Sequence, residues 1–248
     1  MAFYITEANG YDEHYRYYRA TKHGVYSIKD CVMGGERVRI LMVDSTQESA
    51  TYLDADKIYL PLFRYIASFQ EILESHPDPQ KVLLIGGAGF AFPKVFFSTG
   101  QKGNLTVVEM DPRMIRLARR FFFLNELERD YGLKQTGRLR IIEDDGLKFL
   151  EETQETFDLI FNDAYIGNAF DAPLISERGI AAFHARLKPG GVLVHNLITP
   201  LDGPESIRGR IGIFQMNKYF SDVRLAPCDT SRPREMRQNC MLIGYREI

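Results

Sequence analysis

Residues 81–90 read KVLLIGGAGF, in which a short apolar run ends in three glycines spread over four positions. An apolar run of this length without polar alternation is typical of a strand buried on both faces of a parallel sheet. The glycines allow the chain to turn tightly after the strand and to approach a ligand closely. No Gly-Lys-Ser or Gly-Lys-Thr follows, so the turn is not a phosphate-binding Walker loop.

Downstream of this turn, strand-like and helix-like segments alternate along the chain. The alternation predicts βαβ units with right-handed crossovers, and therefore a doubly wound, mostly parallel α/β sheet. The last two strands predict an antiparallel C-terminal hairpin, and five parallel strands plus such a hairpin form the Rossmann-like class I methyltransferase fold. Asp111 is expected to cap one helix, with Pro112 in its first turn. Further strands are expected at 104–109, 138–142, 157–162, 192–197, 223–226 and 239–245, and helices at about 92–99, 111–125, 146–152, 176–187 and 205–219.

Upstream of residue 80 the chain changes character, with short runs rich in β-branched and aromatic residues between turn signals. A helix is expected over about 60–73, because apolar residues recur there at helical spacing. We therefore expect a small N-terminal β unit plus helix in residues 1–79 and a doubly wound domain in residues 80–248. The runs that predict an antiparallel β unit lie at 24–30, 37–43 and 49–53.

Charge and hydropathy exclude several classes of protein. The 248 residues carry 31 Lys and Arg against 33 Asp and Glu, a formal net charge of -2, so no nucleic-acid partner is expected. No apolar run approaches the roughly 20 residues that span a bilayer, and no signal peptide is recognisable, so we expect a cytoplasmic protein without membrane contact. The three cysteines and five histidines show no metal-ligand spacing, which predicts reduced thiols and no metal.

Acidic residues follow the predicted strands at the edge where open α/β sheets bind ligands. Glu109 ends the second strand, 23 residues after Gly86, where a carboxylate suits the two hydroxyls of a ribose. Asp145 follows the third strand, where it can accept a hydrogen bond from adenine and also cap the next helix. Asp163 follows the fourth strand, where it can take a proton or hold an acceptor amine. Together they predict an adenosine pocket without a phosphate site, suited to S-adenosylmethionine or a close relative rather than NAD.

Five segments carry a family resemblance. They resemble the spermidine synthase (aminopropyltransferase) branch of the class I methyltransferase fold, over roughly residues 40 to 200. Leu60-Pro61-Leu62 is similar to the Leu-Pro-Leu-like step that begins a helix in this family. The segments are VLLIGGAGFAFPKVF (82–96), VVEMDPRMIRLARRFF (107–122), LRIIEDDGLKFLEE (139–152), FDLIFNDAY (157–165) and LKPGGVLVHNL (187–197).

The resemblance implies roles for individual residues. It implies that Glu109 binds the ribose hydroxyls and that Asp145 meets the adenine. Asp163 matches the first acid of the family's fourth-strand motif, which serves in catalysis. The other residues implied to lie around the nucleoside are Gln47, then Gly86, Gly87 and Gly89 along the sulfur-bearing chain, and Gly146 next to the adenine.

The departures from the family pattern concern the polyamine half of the site. Gly89 stands where the Gly-rich turn of the family has an Asp, and Ile166 stands where its fourth-strand motif has a second acid. The usual tyrosine and glutamate before the Leu-Pro-Leu-like step are out of register, with Tyr52 and Asp54 each one position away. Because carboxylates compensate the desolvation of a bound dication, we expect the nucleoside half to be kept and the polyamine half to be rebuilt or lost.

The expected function is group transfer from a sulfonium nucleoside, S-adenosylmethionine or decarboxylated S-adenosylmethionine, without a metal. Methyl transfer to an unknown small-molecule acceptor ranks first because the polyamine acids are missing, with Asp163 and Tyr165 as catalytic candidates. One alternative is aminopropyl transfer, as in polyamine synthesis, with the acceptor acids relocated to Asp54, Asp171 or Glu177. Another is a catalytically silent nucleoside-binding scaffold. Relatives of this family commonly form homodimers or larger homo-oligomers, and the same is expected here.

Overall fold

The computed structural model of the chain describes residues 14–21, 24–76, 78–166, 169–170 and 172–248. Within these ranges the chain forms a four-stranded sheet, a seven-stranded sheet and a two-stranded ribbon. Helices cover both faces of the seven-stranded sheet, in two separate apolar clusters. No helix in the described ranges has the length and apolar character needed to cross a membrane.

The elements are numbered in chain order. The strands are β1 (His14–Thr21), β2 (Gly24–Met33), β3 (Glu36–Val43), β4 (Thr46–Tyr52), β5 (Lys81–Ile85), β6 (Asn104–Glu109), β7 (Leu139–Glu143), β8 (Phe157–Asn162), β9 (Tyr165–Ile166), β10 (Ala169–Phe170), β11 (Leu187–Thr199), β12 (Asp222–Pro227) and β13 (Gln238–Tyr245). The helices are α1 (Arg64–Glu74), α2 (Ala91–Ser98), α3 (Pro112–Phe121), α4 (Leu124–Asp130), α5 (Leu133–Thr136), α6 (Gly146–Glu152), α7 (Ala172–Ile175), α8 (Glu177–Arg186) and α9 (Ile207–Met216), with a 3-10 turn at Pro204–Ser206.

The N-terminal sheet is antiparallel, in the order β1-β2-β3-β4. Strands β2, β3 and β4 correspond to the β unit that the sequence predicts. The sequence does not predict β1, because its tyrosines and arginines lack a regular apolar alternation, yet it pairs with β2, with Arg19 opposite Tyr26. Ile28 pairs with Leu41, so its side chain lies on the face opposite to Val38 and Ile40. All three side chains are fully buried, and they belong to two separate clusters, so both faces of this sheet carry buried apolar residues.

The seven-stranded sheet has the order β12-β13-β11-β8-β5-β6-β7. Strands β5, β6, β7, β8 and β11 are parallel, whereas β13 pairs antiparallel with β11 and β12. This confirms the predicted doubly wound, mostly parallel sheet with an antiparallel C-terminal hairpin. The chain moves outward from β5 to β6 and β7, and then returns to β8 on the other side of β5. The direction of winding therefore reverses between β5 and β8, the place where open α/β sheets bind ligands.

Several helices differ from their predicted bounds. α1 begins at Arg64 rather than near residue 60, because Pro61 disfavours helical backbone in the residue before it. α3 ends at Phe121, because Phe123 takes a left-handed φ of 63° and a new helix, α4, follows it. The segment predicted as one helix over 205–219 is divided into the 3-10 turn and α9, which ends at Met216.

Phenylalanine rings join the central strands to the helices on one face of the large sheet. Phe161 of β8 is fully buried. Its ring centroid lies 4.9 Å from that of Phe69 in α1 and 4.5 Å from that of Phe92 in α2. On the opposite face, Leu83 of β5 belongs to a cluster with Phe183 of α8. Both faces of the central strands are therefore covered, as the apolar run that opens at residue 81 predicts.

Replacing Phe161 with alanine is expected to lower the free energy of unfolding by about 3–5 kcal/mol, because it leaves a cavity between β8 and two helices. Phe161→Leu, which keeps more of the volume, should cost less. Urea unfolding followed by circular dichroism measures both losses. A loss below about 1 kcal/mol for the alanine variant would contradict the central position of this ring.

Candidate active site

A cavity of about 1320 Å³ lies where the N-terminal sheet faces the carboxyl ends of the parallel strands. Its wall includes Gln47 and Glu48 from β4, together with Glu109 at the end of β6 and Asp163 just after β8. Pockets for small molecules typically measure about 300–1,000 Å³, so this cavity is large enough for a nucleoside and a second small molecule. It lies at the reversal of winding between β5 and β8.

The turn after β5 is held against the end of β8. The N–H of Gly86 donates to the carbonyl of Val108 at 2.9 Å, and the N–H of Asp163 donates to the carbonyl of Ile85 at 2.8 Å. Gly86 has a φ of 88°, and a Cβ there would lie 2.7 Å from the carbonyl oxygen of Asp163. Only glycine permits this approach, which brings the turn after β5 next to Asp163.

The two other predicted glycines of the turn are not among the residues that line the cavity. A Cβ at Gly87 would press on Val107 and Phe90, and the N–H of Gly87 donates inward to Glu109. A Cβ at Gly89 would overlap the hydroxyl of Ser49 and lie 2.6 Å from its Cβ. The buried Ser49 of β4 therefore occupies the space that any side chain at position 89 would need, which explains why no acid stands there.

The Glu109 carboxylate is fixed by backbone donors. Its Oε2 accepts the N–H groups of Gly87 at 2.8 Å and Ala88 at 2.9 Å, and its Oε1 accepts the N–H of Asp111 at 2.8 Å. Burial raises the pKa of Glu109, although these three hydrogen bonds favour its charged form. A carboxylate offers about four acceptor sites, so Glu109 can still accept about one hydrogen bond from a ligand hydroxyl in the cavity.

Two aspartates follow β6 and β7 with different surroundings. Asp111 caps α3 as predicted, accepting the N–H of Arg113 at 2.9 Å, and it also accepts the hydroxyl of Tyr26 at 2.7 Å. Asp145 caps α6 through Oδ1, which accepts the N–H of Lys148 at 2.8 Å, and it lines the cavity together with Gly146. A Cβ at Gly146 would overlap the side chain of Ile85, so glycine lets α6 begin close to β5.

Asp163 is the carboxylate at the centre of the site. Its Oδ1 accepts a hydrogen bond from Asn196 Nδ2 at 2.8 Å, and Asn196 in turn accepts one from Asn239 at 2.9 Å. Burial raises the pKa of Asp163 to about 7, against the opposing influence of Asn196 and of the Tyr65 hydroxyl. A carboxylate with this pKa can exchange a proton near neutral pH.

Two tyrosines flank Asp163 on the cavity wall. Tyr165, a predicted catalytic candidate, donates its hydroxyl to the carbonyl of Asn196 at 2.8 Å, and burial raises its pKa well above 10. These features favour a positioning role over proton transfer. Tyr65 of α1 lines the cavity, which the sequence does not predict. It falls on the apolar stripe of the predicted helix, so the sequence indicates a core residue instead.

Gln47 and Glu48 reach the cavity side by side from β4. The Nε2 of Gln47 is buried and has no hydrogen-bond partner in the described part of the chain, so a donor group is available for a ligand. Burial, Asp163 and Glu109 raise the pKa of Glu48 to about 8. Sequence reasoning misses Glu48, because it lies just before the run at 49–53 that predicts the strand.

Other candidate residues lie away from the cavity or outside the described residues. His195 is fully buried, and burial lowers its pKa to about 3. Of the proposed relocated acids, Asp54 does not line the cavity, Glu177 pairs with Lys218 at 2.6 Å, and Asp171 falls outside the described residues. The described ranges contain no group of three or more His, Cys, Asp or Glu arranged to hold a metal ion.

Comparison with known proteins assigns the family. A model of the spermine/spermidine synthase domain family matches residues 65–206, more than half of the chain. A polyamine aminopropyltransferase of Pseudomonas syringae pv. tomato is 29% identical over 151 residues, which are 60% of this chain and 50% of that protein. The chain spans about half the length of the curated relatives it matches. It belongs to the spermine/spermidine synthase family, which confirms the resemblance in the sequence.

Solved structures share the fold. A probable spermidine synthase from Corynebacterium glutamicum is similar with a TM-score of 0.72 at 19% identity, over 97% of this chain and 81% of that one. Human methyltransferase-like protein 13 in complex with SAH is similar with a TM-score of 0.53 at 20% identity, over 77% and 79% of the two chains. These structures confirm the class I methyltransferase fold that the strand pattern predicts.

The contact between Ser49 and Gly89 can be tested by a double-mutant cycle. Gly89→Ala is expected to lower the free energy of unfolding by about 1–3 kcal/mol, because the added methyl overlaps a buried side chain. Adding Ser49→Gly should recover part of that loss, since it empties the space. Thermal and urea unfolding of both single variants and the double variant measures the coupling. Purely additive losses would show that the two positions do not share this space.

Proposed function

We propose that this member of the spermine/spermidine synthase family transfers an aminopropyl group from decarboxylated S-adenosylmethionine to a small amine acceptor. One observation carries the proposal above all. Asp163, a partly buried carboxylate with a pKa of about 7, shares a cavity with Glu109 and the Gly-rich turn. A proton acceptor therefore lies beside a site suited to the nucleoside of the donor.

The donor half of the proposed site consists of groups that suit an adenosine. Glu109 would accept a ribose hydroxyl, and its orientation is supported by the N–H groups of Gly87 and Ala88. Asp145, with one carboxylate oxygen engaged in the helix cap, would accept the adenine amine with the other. The unpartnered Nε2 of Gln47 adds a donor on the opposite wall. These contacts would hold the sulfonium near Gly86.

The reaction is a displacement at carbon. The acceptor first loses a proton from its ammonium group to Asp163, and the freed nitrogen lone pair forms a bond to the donor carbon attached to sulfur. The carbon–sulfur bond breaks as that bond forms, and its electron pair neutralises the sulfonium to a thioether, methylthioadenosine. Because the sulfonium is already a reactive leaving group, orientation of the two substrates supplies most of the acceleration.

The relatives favour aminopropyl transfer over the methyl transfer that the sequence ranks first. The curated relatives that match the chain are named polyamine aminopropyltransferases. Methyl transfer ranks first only because acids are missing from their family positions. The carboxylates on the cavity wall nevertheless include Glu48 and Asp163, and neither is paired with a cationic side chain in the described part of the chain. Aminopropyl transfer with relocated acids is therefore the better supported reaction.

A reaction with decarboxylated S-adenosylmethionine and the diamine putrescine tests this function. Mass spectrometry should detect a product heavier than putrescine by one aminopropyl group, together with methylthioadenosine. A parallel reaction contains S-adenosylmethionine in place of the decarboxylated donor. A methylated product from S-adenosylmethionine, with no aminopropyl product from the decarboxylated donor, would refute the proposal.

Asp163→Asn is expected to lower kcat by about 10²–10⁴-fold, because the amide cannot accept the proton. In the unmodified protein, Asp163 is protonated below its pKa of about 7, so activity should rise as the pH increases through that value. The variant should lose this rise. Steady-state rates measured across pH test both expectations. Glu247→Gln, which removes the charge of an exposed carboxylate, is the control. A variant that keeps the wild-type rate and pH profile would exclude Asp163 as the base.

A further inference from the structure

We infer that Glu48 binds the ammonium group of the acceptor, as the second carboxylate of the acceptor site beside Asp163. This inference rests on the proposed function, because it names the residue that holds the acceptor for that reaction. Its support comes from the backbone of β4, from the charges around Glu48 and from the pairing of the nearby arginines.

A β-bulge in β4 directs Glu48 to the cavity. Ser49 pairs with Leu41 and Gln47 pairs with the next residue of β3, Met42, so Glu48 is the extra residue of the bulge. In a regular strand, successive side chains point to opposite faces, which would separate Gln47 from Glu48. The bulge interrupts this alternation, and both side chains line the cavity.

The surroundings of Glu48 contain acids and phenols. The ionisable groups that interact with it are Tyr26 of β2, Tyr65 of α1, Glu109 at the end of β6 and Asp163 after β8. Each of these four groups is neutral or anionic, and none is a cation. A desolvated carboxylate among like charges is costly until a cation compensates it, so a positively charged ligand is the expected occupant.

The arginines on the cavity wall do not supply that charge. Arg116 and Arg237 are exposed to solvent, and neither is among the charged groups that act on Glu48. Acids already pair with the other three. Arg64 and Arg232 both approach Asp229, at 3.4 Å and 3.3 Å. Arg113 pairs with Asp111 at 2.8 Å. The positive charge must therefore arrive with the acceptor, and a protonated amine brings N–H donors that form strong hydrogen bonds with a carboxylate.

The same surroundings couple binding to a proton. Burial and the charges of Asp163 and Glu109 raise the pKa of Glu48 to about 8, so the carboxyl is largely protonated at neutral pH while the cavity is empty. An ammonium group favours the ionised form, and the displaced proton goes to solvent. Binding of the cation should therefore tighten as the pH rises toward 8.

Isothermal titration calorimetry of putrescine into protein saturated with methylthioadenosine tests this inference. Glu48→Gln, which keeps the shape and removes the charge, should weaken putrescine binding by at least about tenfold, the loss of one charge-assisted hydrogen bond. Affinity for methylthioadenosine should stay unchanged, and Glu48→Asp should recover part of the putrescine affinity. Glu247→Gln controls for the loss of a remote charge, and thermal unfolding checks that each variant is folded.

The outcomes separate this inference from the proposed function. Putrescine binding that is equally tight in Glu48→Gln and wild type would overturn the role of Glu48, and so would an equal loss of nucleoside binding or a wild type that binds no putrescine. If putrescine binds through Glu48 but no aminopropyl group is transferred, the proposed function fails and the inference holds. If transfer occurs and Glu48→Gln keeps the KM for putrescine, only the inference fails.

Discussion

The close approach of Gly86 to the backbone of Asp163 is the constraint on which the site depends. Because glycine has no Cβ, the turn after β5 can lie against the first residue after β8. This contact lies where the direction of winding reverses. The turn would face the donor and the Asp163 carboxylate would face the acceptor, so both substrates would bind along one wall of the cavity. A side chain at position 86 would push the two apart and open the site.

The cavity also gathers carboxyl groups that are costly to keep charged. Burial raises the pKa of Glu48, Glu109 and Asp163, and the charges of the three repel one another. Such strain at a site reduces the stability of the empty protein, and it is relieved when a ligand supplies the missing interactions. The cationic sulfonium donor and a cationic amine are ligands of that kind, which accounts for placing acids where apolar side chains would be more stable.

Much of the fold follows from sequence periodicity, because strands buried on both faces leave apolar runs that end at glycines or acids. The acids Glu109, Asp145 and Asp163 are predictable for the same reason, since parallel strands end at one edge. Glu48 is not predictable in this way, because a β-bulge leaves no mark in the hydrophobic pattern. Tyr65 is predicted as a core residue because it falls on the apolar stripe of a helix, although the structure places it on the cavity wall. The division of the chain into two units at residue 80 stays a prediction. Both sheets contribute residues to the same cavity, so the site does not belong to one unit alone.

A crystal structure with methylthioadenosine and putrescine bound would show whether Asp163 lies between donor and acceptor. We expect a ribose hydroxyl on Glu109, the sulfur beside Gly86 and one putrescine nitrogen within hydrogen-bond distance of Asp163. That nitrogen should point toward the side of the sulfur from which the aminopropyl carbon has departed. A nucleoside bound elsewhere, or a diamine that does not contact Asp163, would exclude this arrangement of the site.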